Sequence, residues 1–355
     1  MTVIVGVDGS GRTYRLEALA ATLSTSGKPA VRVTDTAEPV AELAARLDRA
    51  RADGSVVLVD DAHRLPGPVL RALARAARDG LEMVISRRPS LSSPELAELD
   101  EALAARGEVE QLEPLDDAGI AAVITTVTRH APAGGTVSEV RAVTAGLPAV
   151  VVAVATAAPG GGPPPALLAR IQQRLAVLDP EVAELARILA LRLDLHDDAL
   201  ARAAGMELAA LTPAMRSLRD AGLVVPGGEQ LVPALARAVL AELPPAGRRR
   251  LHDAVARALI ATGADPVTAA KQLSAAGARS SFAAEAYRAA AEQLRFEDPS
   301  AAMAFYARAL EAGADPAGVV AGQAEAAALL GAPIDAAAVA VEPADVARVA
   351  LVAGA

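Results

Sequence analysis

The chain has no cysteine and no tryptophan, and only three phenylalanines and three tyrosines among its 355 residues. Without cysteine it can form neither disulfides nor thiolate metal sites, a composition compatible with a reducing, cytoplasmic setting, which is where we expect it. So few aromatic rings leave no stacking platform for single-stranded nucleic acid. The interior must be built from aliphatic and small side chains, which favours helices. Positive charge is not in excess either: 34 Lys and Arg stand against 43 Asp and Glu, a net charge of −9. That balance argues against a chain-wide nucleic-acid footprint, leaving only a local basic patch possible. The longest apolar run, Leu147 to Ala158, has 12 residues and contains Pro148, whereas a membrane span needs roughly 20. No basic region followed by a cleavable apolar core opens the chain, so we expect no secretory signal and no membrane role.

The length implies two or three domains. The first begins with Thr2-Val3-Ile4-Val5-Gly6-Val7-Asp8-Gly9-Ser10-Gly11-Arg12-Thr13, an apolar strand running into a glycine-rich loop and then a helical pattern (Leu16, Leu19, Ala20, Leu23). This is the layout of a phosphate-binding loop, in which small residues let backbone N–H groups and a helix N-terminus converge on an anion. The spacing Gly6-x4-Gly11-Arg12-Thr13 fits G-x-x-x-x-G-K-[ST], with arginine where lysine belongs.

Strand-like and helix-like stretches then alternate to about Leu112. Strands are expected at 3–6, 30–34, 55–60, 81–86 and 109–112, with helices at 13–25, 38–52 and 67–78. Such alternation implies βαβ crossovers and a parallel sheet, with ligands beyond the carboxyl ends of the strands. The third strand ends in Val56-Val57-Leu58-Val59-Asp60-Asp61-Ala62-His63, four aliphatics and two carboxylates in the Walker B arrangement. An acid at this tip can hold Mg²⁺ beside phosphates, and a second can orient an attacking water. Asp-Asp after a strand is also a common turn and helix cap. The fourth strand runs into Ser86-Arg87-Arg88-Pro89, whose cations could reach a terminal phosphate or could simply be solvated.

From Asp116 the pattern turns helical, at 118–129 and 137–157, the latter interrupted at Gly146-Leu147-Pro148 as a kink or junction. Pro159 to Pro165 reads as a linker. Helices are expected next at 180–193, 197–204 and 208–221, with a hairpin of 223–225 and 230–232, a winged-helix pattern. Its third helix carries Arg216 and Arg219 beside Asp220, a poor phosphate-contacting surface, so no direct DNA binding is expected. Five more helices follow (245–260, 266–276, 282–294, 299–312, 318–330), with small and aromatic residues on facing stripes that suggest a tetratricopeptide-like array. Residues 280 to 355 carry four Arg and ten Asp or Glu, so this array is acidic.

Taken in order, these features resemble the STAND-type P-loop ATPases (AAA+-like), and within them the LuxR-family, MalT-like transcriptional regulators. The resemblance covers roughly residues 2 to 312. It rests on Gly6 to Thr13, Val56 to His63, Gln111-Leu112-Glu113-Pro114-Leu115, Ala145-Gly146-Leu147-Pro148 and Arg248-Arg249-Arg250-Leu251-His252. It implies a multidomain α/β plus α chain: a P-loop nucleotide-binding domain (1–115), a helical lid (116–158), a linker (159–166), a winged helix (167–243), a TPR-like array (244–331) and a tail (332–355).

The resemblance further implies an ATP/ADP-binding switch using Mg²⁺. Gly6, Gly9, Ser10, Gly11, Arg12 and Thr13 would hold phosphate, and Thr13 with Asp60 the metal. Asp61 would serve the attacking water, Arg87 would be the sensor arginine and Pro148 would abut the adenine. Three departures lead us to expect a regulatory module with weak or no hydrolysis. Arg12 replaces the loop lysine, Pro233 stands where the family often has histidine, and the segment that usually precedes the first strand is not seen; nor is a terminal LuxR-type helix-turn-helix. The alternative is a degenerate scaffold that binds no nucleotide and works through protein–protein contact. In either case the array is expected to engage a protein partner or a second copy.

Overall fold

The computed structural model describes residues 1–33, 39–157 and 162–332. Contacts divide the chain into two compact units, Met1–Val182 with Thr212–Val239, and Ala183–Leu211 with Leu240–Ala355. Residues 167–243, the stretch expected as a winged helix, contribute to both units.

In the first unit β1 (Thr2–Val5), α1 (Arg12–Thr25), β2 (Ala30–Val33), α2 (Val40–Ala52), β3 (Val56–Val59), α3 (Gly67–Arg78), β4 (Met83–Arg87), α4 (Pro94–Ala104) and β5 (Glu108–Gln111) alternate. All strand pairings are parallel, in the order β2-β3-β4-β1-β5. Period-two alternation splits the apolar strands between two faces. Val3, Val5, Val57, Val59, Met83 and Ile85 point to the side packed by α2, α3 and α4. Ile4, Val56, Leu58 and Val84 point to the other, where Leu16, Leu19, Ala20 and Leu23 of α1 cover them. Burying aliphatic chains of this size contributes about 1.5–3 kcal/mol each.

The expected elements of this region are present, and α4 is an addition to them. Its start is well marked, with Ser93 Oγ accepting from Leu96 N and Pro94 opening the helix. The expected positions 34 and 38 lie outside the described residues.

Next come α5 (Asp117–Thr128), α6 (Thr136–Thr144) and α7 (Pro148–Ala155), joined by Ile120, Ile124, Val140 and Val151 in a small core. The expected break at Gly146-Leu147-Pro148 is where α6 gives way to α7. Gly146 has φ 71°, and a Cβ there would meet Leu115 O at 2.7 Å. Residues 158–161, most of the expected linker's first half, lie outside the described residues, and α8 (Pro165–Ala176) begins on the last proline of that run.

α9 (Pro180–Ala190), α10 (Asp197–Ala204) and α11 (Leu208–Asp220) follow. The expected hairpin is a short antiparallel bridge, Val224 with Leu231, flanked by Val225 N to Gln230 O and Val232 N to Leu223 O, both 2.9 Å. Pro233 opens a further helix, α12 (Pro233–Glu242). The second unit is carried by α13 (Pro245–Ala261), α14 (Pro266–Ala276), α15 (Ser281–Leu294), α16 (Pro299–Glu311) and α17 (Ala317–Leu329). Their core is mostly alanine, with Tyr287 stacked on Phe305 at 6.3 Å between centroids. The expected tail from 333 onward lies outside the described residues. No described helix is long and apolar enough to cross a membrane.

Candidate phosphate site at the strand tips

β1 ends at Val5 and the chain turns through Gly6 to Gly11 into α1. Gly9 and Gly11 have φ of 89° and 97°, a region L side chains rarely adopt. At Gly6 a Cβ would lie 2.3 Å from Ser10 Oγ. Gly11 precedes α1 without any side-chain cap, so the first-turn N–H groups and the positive end of the dipole face the loop.

The sheet order decides what else is present. β4 lies between β3 and β1, so its Ser86-Arg87-Arg88 tip is inserted between the two carboxylates and the loop. Ser86 Oγ donates to Asp60 Oδ1 and accepts from Asp61 N at 2.9 Å. Thr13 Oγ1 donates to Asp60 Oδ2 at 2.7 Å, joining the residue expected to bind metal on α1 to its partner just beyond the end of β3. Among the described residues no cluster of three or more His, Asp or Glu forms a cation cage. A hydroxyl beside one carboxylate is instead the sparse protein contribution that suits Mg²⁺, which prefers water and substrate phosphates for its remaining ligands.

Arg12 is buried, 7% exposed, and its guanidinium turns back on the chain. It donates to Gly6 O, to Asp8 Oδ1 at 3.1 Å and to Asp61 Oδ1 at 2.5 Å. Asp61, expected to serve a water, is thus ion-paired, and it sits at φ 50°, a strained conformation for a residue with a side chain. Arg87 also goes elsewhere. Its side chain bonds Asp100 of α4 at 2.5 Å and the carbonyls of Arg88 and Pro89, so only its backbone carbonyl, which accepts from Gly6 N at 3.1 Å, meets the loop. Its neighbour Arg88 reaches the loop, holding Asp8 through Nε (3.1 Å) and Nη2 (2.5 Å).

Burial would raise the Asp8 carboxyl, but Arg88 and Arg12 outweigh it and hold Asp8 below the usual carboxylate range. Burial, only partly opposed by Asp61, pushes His63 down to about 4, leaving it neutral at physiological pH. Three buried polar atoms around the loop, Ser10 Oγ, Arg12 Nε and His63 Nδ1, have no hydrogen-bond partner. Unpaired buried polar groups are costly, and their grouping beside an uncapped helix start fits a polar ligand.

The back of the loop is also tied. Asp8 N donates to Asp220 O at 3.1 Å. Arg174 of α8, which burial pulls down to about 10, donates to Asp8 O at 3.1 Å and Gly222 O at 3.4 Å. Ala149 N donates to Gly9 O at 3.1 Å, and Pro148 Cγ lies 3.9 Å from where a Gly11 Cβ would be. The structure therefore gathers Gly6, Gly9, Ser10, Gly11, Arg12, Thr13, Asp60, Asp61 and Pro148 and turns the Arg87 side chain elsewhere. Asp8, Ser86, Arg88 and Arg174 are additions. The first three lie inside motifs visible in the sequence, whereas nothing local marks Arg174.

No family model matches this chain, and no curated protein matches it. Among solved structures it is similar to the Thermotoga maritima RuvB Holliday junction branch migration motor, at 16% identity and TM-score 0.38 over 62% of this chain and 80% of that one. It is also similar to a Pyrococcus horikoshii signal transduction ATPase with numerous domains that carries a tetratricopeptide repeat sensor. That match has 14% identity and TM-score 0.33, over 99% of this chain and 61% of the other. Likeness at this level assigns no activity.

Proposed function

We propose that the chain is a nucleotide-dependent switch module that binds ATP or ADP with Mg²⁺ and hydrolyses ATP weakly or not at all. One observation carries this: an uncapped helix start behind a left-handed glycine loop, with Thr13 bonded to Asp60 at 2.7 Å. Backbone N–H groups of Gly9, Gly11, Arg12 and Thr13 would hold phosphate, Thr13 and Asp60 would hold Mg²⁺, and Pro148 would flank the base. The ion, when bound, supplies charge neutralisation for the phosphates.

Weak turnover follows from Arg12. Its guanidinium is engaged by Asp8 and Asp61, so neither the loop cation nor the second carboxylate is free for a transferring phosphoryl group or a water. In the finer reading this is the switch of a LuxR-family STAND transcriptional regulator, with α9 to α11 and the 223–232 hairpin as a winged helix. The α13–α17 array would engage a protein partner or a second copy, and DNA would not be contacted directly. Arg219 supports that last point, since its Nε is turned onto Gly228 O at 3.4 Å.

The Arg12 pairing also favours a second reading, a scaffold that binds no nucleotide. Thermal melting with millimolar Mg²⁺ and ATP or ADP separates the two. A binder is stabilised as RT ln(1 + [L]/Kd) and Asp60→Ala abolishes the Mg²⁺-dependent part, whereas a scaffold is unaffected. Brisk Mg²⁺-dependent hydrolysis, lost in Asp61→Asn, would remove the weak-turnover part.

A further inference from the structure

The Asp8 carboxylate is held by three donors, Nε and Nη2 of Arg88 and Nη2 of Arg12. A planar guanidinium gripping two oxygens side by side is also how proteins hold phosphate. Asp8 lies in the same loop whose glycines and helix start favour an anion, so a fixed negative charge there opposes ligand binding unless cations neutralise it. We propose that Asp8 is a built-in anion that occupies Arg88 in place of a ligand's terminal phosphate, and that a nucleoside triphosphate binds by taking Arg88 from Asp8. This rests on the nucleotide reading above and names its regulation.

Position 8 is suited to report the exchange, because its backbone is wired to the 212–239 segment of its own unit. Asp8 N bonds Asp220 O, and Asp8 O is shared with Arg174, which also bonds Gly222 O. Gly222 approaches so closely, with φ 62°, that a Cβ there would lie 2.1 Å from Asp8 O. When Arg88 leaves Asp8, the loop keeps its backbone ties but loses the side-chain anchor to β4. Arg88 can therefore close an empty, self-neutralised loop or hold a loaded one, while Arg12 stays with Asp8 and Asp61.

The test is calorimetric titration of Mg²⁺-ATP and Mg²⁺-ADP into wild type, Asp8→Asn, Arg88→Met and the double variant. Asp8→Asn is expected to bind ATP about tenfold more tightly, the scale of one charge-assisted contact. Arg88→Met is expected to lose about tenfold for ATP with much less change for ADP, and to cancel the Asp8→Asn gain in the double variant. ATP binding by Asp8→Asn where wild type shows none supports the proposal. Wild-type binding with no tightening in folded Asp8→Asn overturns this proposal alone. Binding by none of the folded chains overturns the nucleotide reading and the proposal together. Should Asp8→Asn fail to fold, Asp8→Ser replaces it. Should that fail too, equal losses for ATP and ADP in Arg88→Met overturn the proposal.

Discussion

Arginine and carboxylate meet in both units, in opposite circumstances. At the strand tips of the first unit, Arg12 and Arg88 share Asp8, Arg12 also takes Asp61, and Asp8 and Asp61 keep 19% and 31% of their side chains exposed. In the helical array, Glu325 on α17 is fully buried against Arg295, which caps the end of α15, at 3.0 Å. Arg295 also pairs with Glu292 at 2.6 Å, and Glu292 accepts from Tyr306 OH at 2.8 Å. The first cluster is an exchangeable set with alternatives in reach. The second is centred on Glu325, a carboxylate with no solvent exposure, so it specifies how α15, α16 and α17 fit together.

Arg295→Ala should break the comparison most strongly. Removing an arginine paired with a fully buried carboxylate is expected to cost up to roughly 3–5 kcal/mol, read by urea unfolding, with Arg295→Met/Glu325→Leu recovering much of the loss. A cost below that of an exposed ion pair, about 1 kcal/mol or less, would show that the array's network is as loose as the loop's.

Arg87→Ala and Arg88→Ala sharpen the contrast within the first unit. Arg87 joins β4 to α4 through Asp100, both largely buried, so its loss should cost about 1.5–3 kcal/mol and leave nucleotide affinity nearly unchanged. Arg88→Ala should do the reverse, with the melting midpoint little altered and ATP affinity reduced.

The smallest effect is in pH. His63 is at about 4 in the folded chain against an unfolded value near 6.5. Below 6.5 the unfolded chain takes up the proton first, so the neutral histidine's contribution is complete above that pH and is lost as pH falls toward 4. His63→Asn should flatten the stability profile between pH 6.5 and 4, by roughly 1–3 kcal/mol over the interval. An unchanged slope would mean that His63 titrates alike in both states.

Much of this was legible in the linear chain. β-branched runs every few tens of residues announced a parallel sheet, and the Gly-x4-Gly spacing announced a loop that turns where only glycine turns easily. Two helices near the site escaped notice for different reasons. α4 has an ordinary start signal in Ser93-Pro94-Glu95, overlooked beside a proline-broken loop. α8 begins on Pro165, inside a proline run whose composition reads as linker; proline is also well placed in a first helical turn, where its missing N–H costs nothing.

Sequence alone determined which residue types could do chemistry here: an anion-binding turn, a hydroxyl, two carboxylates and two adjacent arginines. It could not determine which arginine faces the loop, because that depends on β4 lying between β3 and β1 and on the alternation of side chains as the strand ends. Nor could it show that Arg12 turns back onto Asp8 and Asp61. A guanidinium in a partly buried site goes to the nearest carboxylates that can share its charge, and which carboxylates are nearest is settled by the order of strands in the sheet.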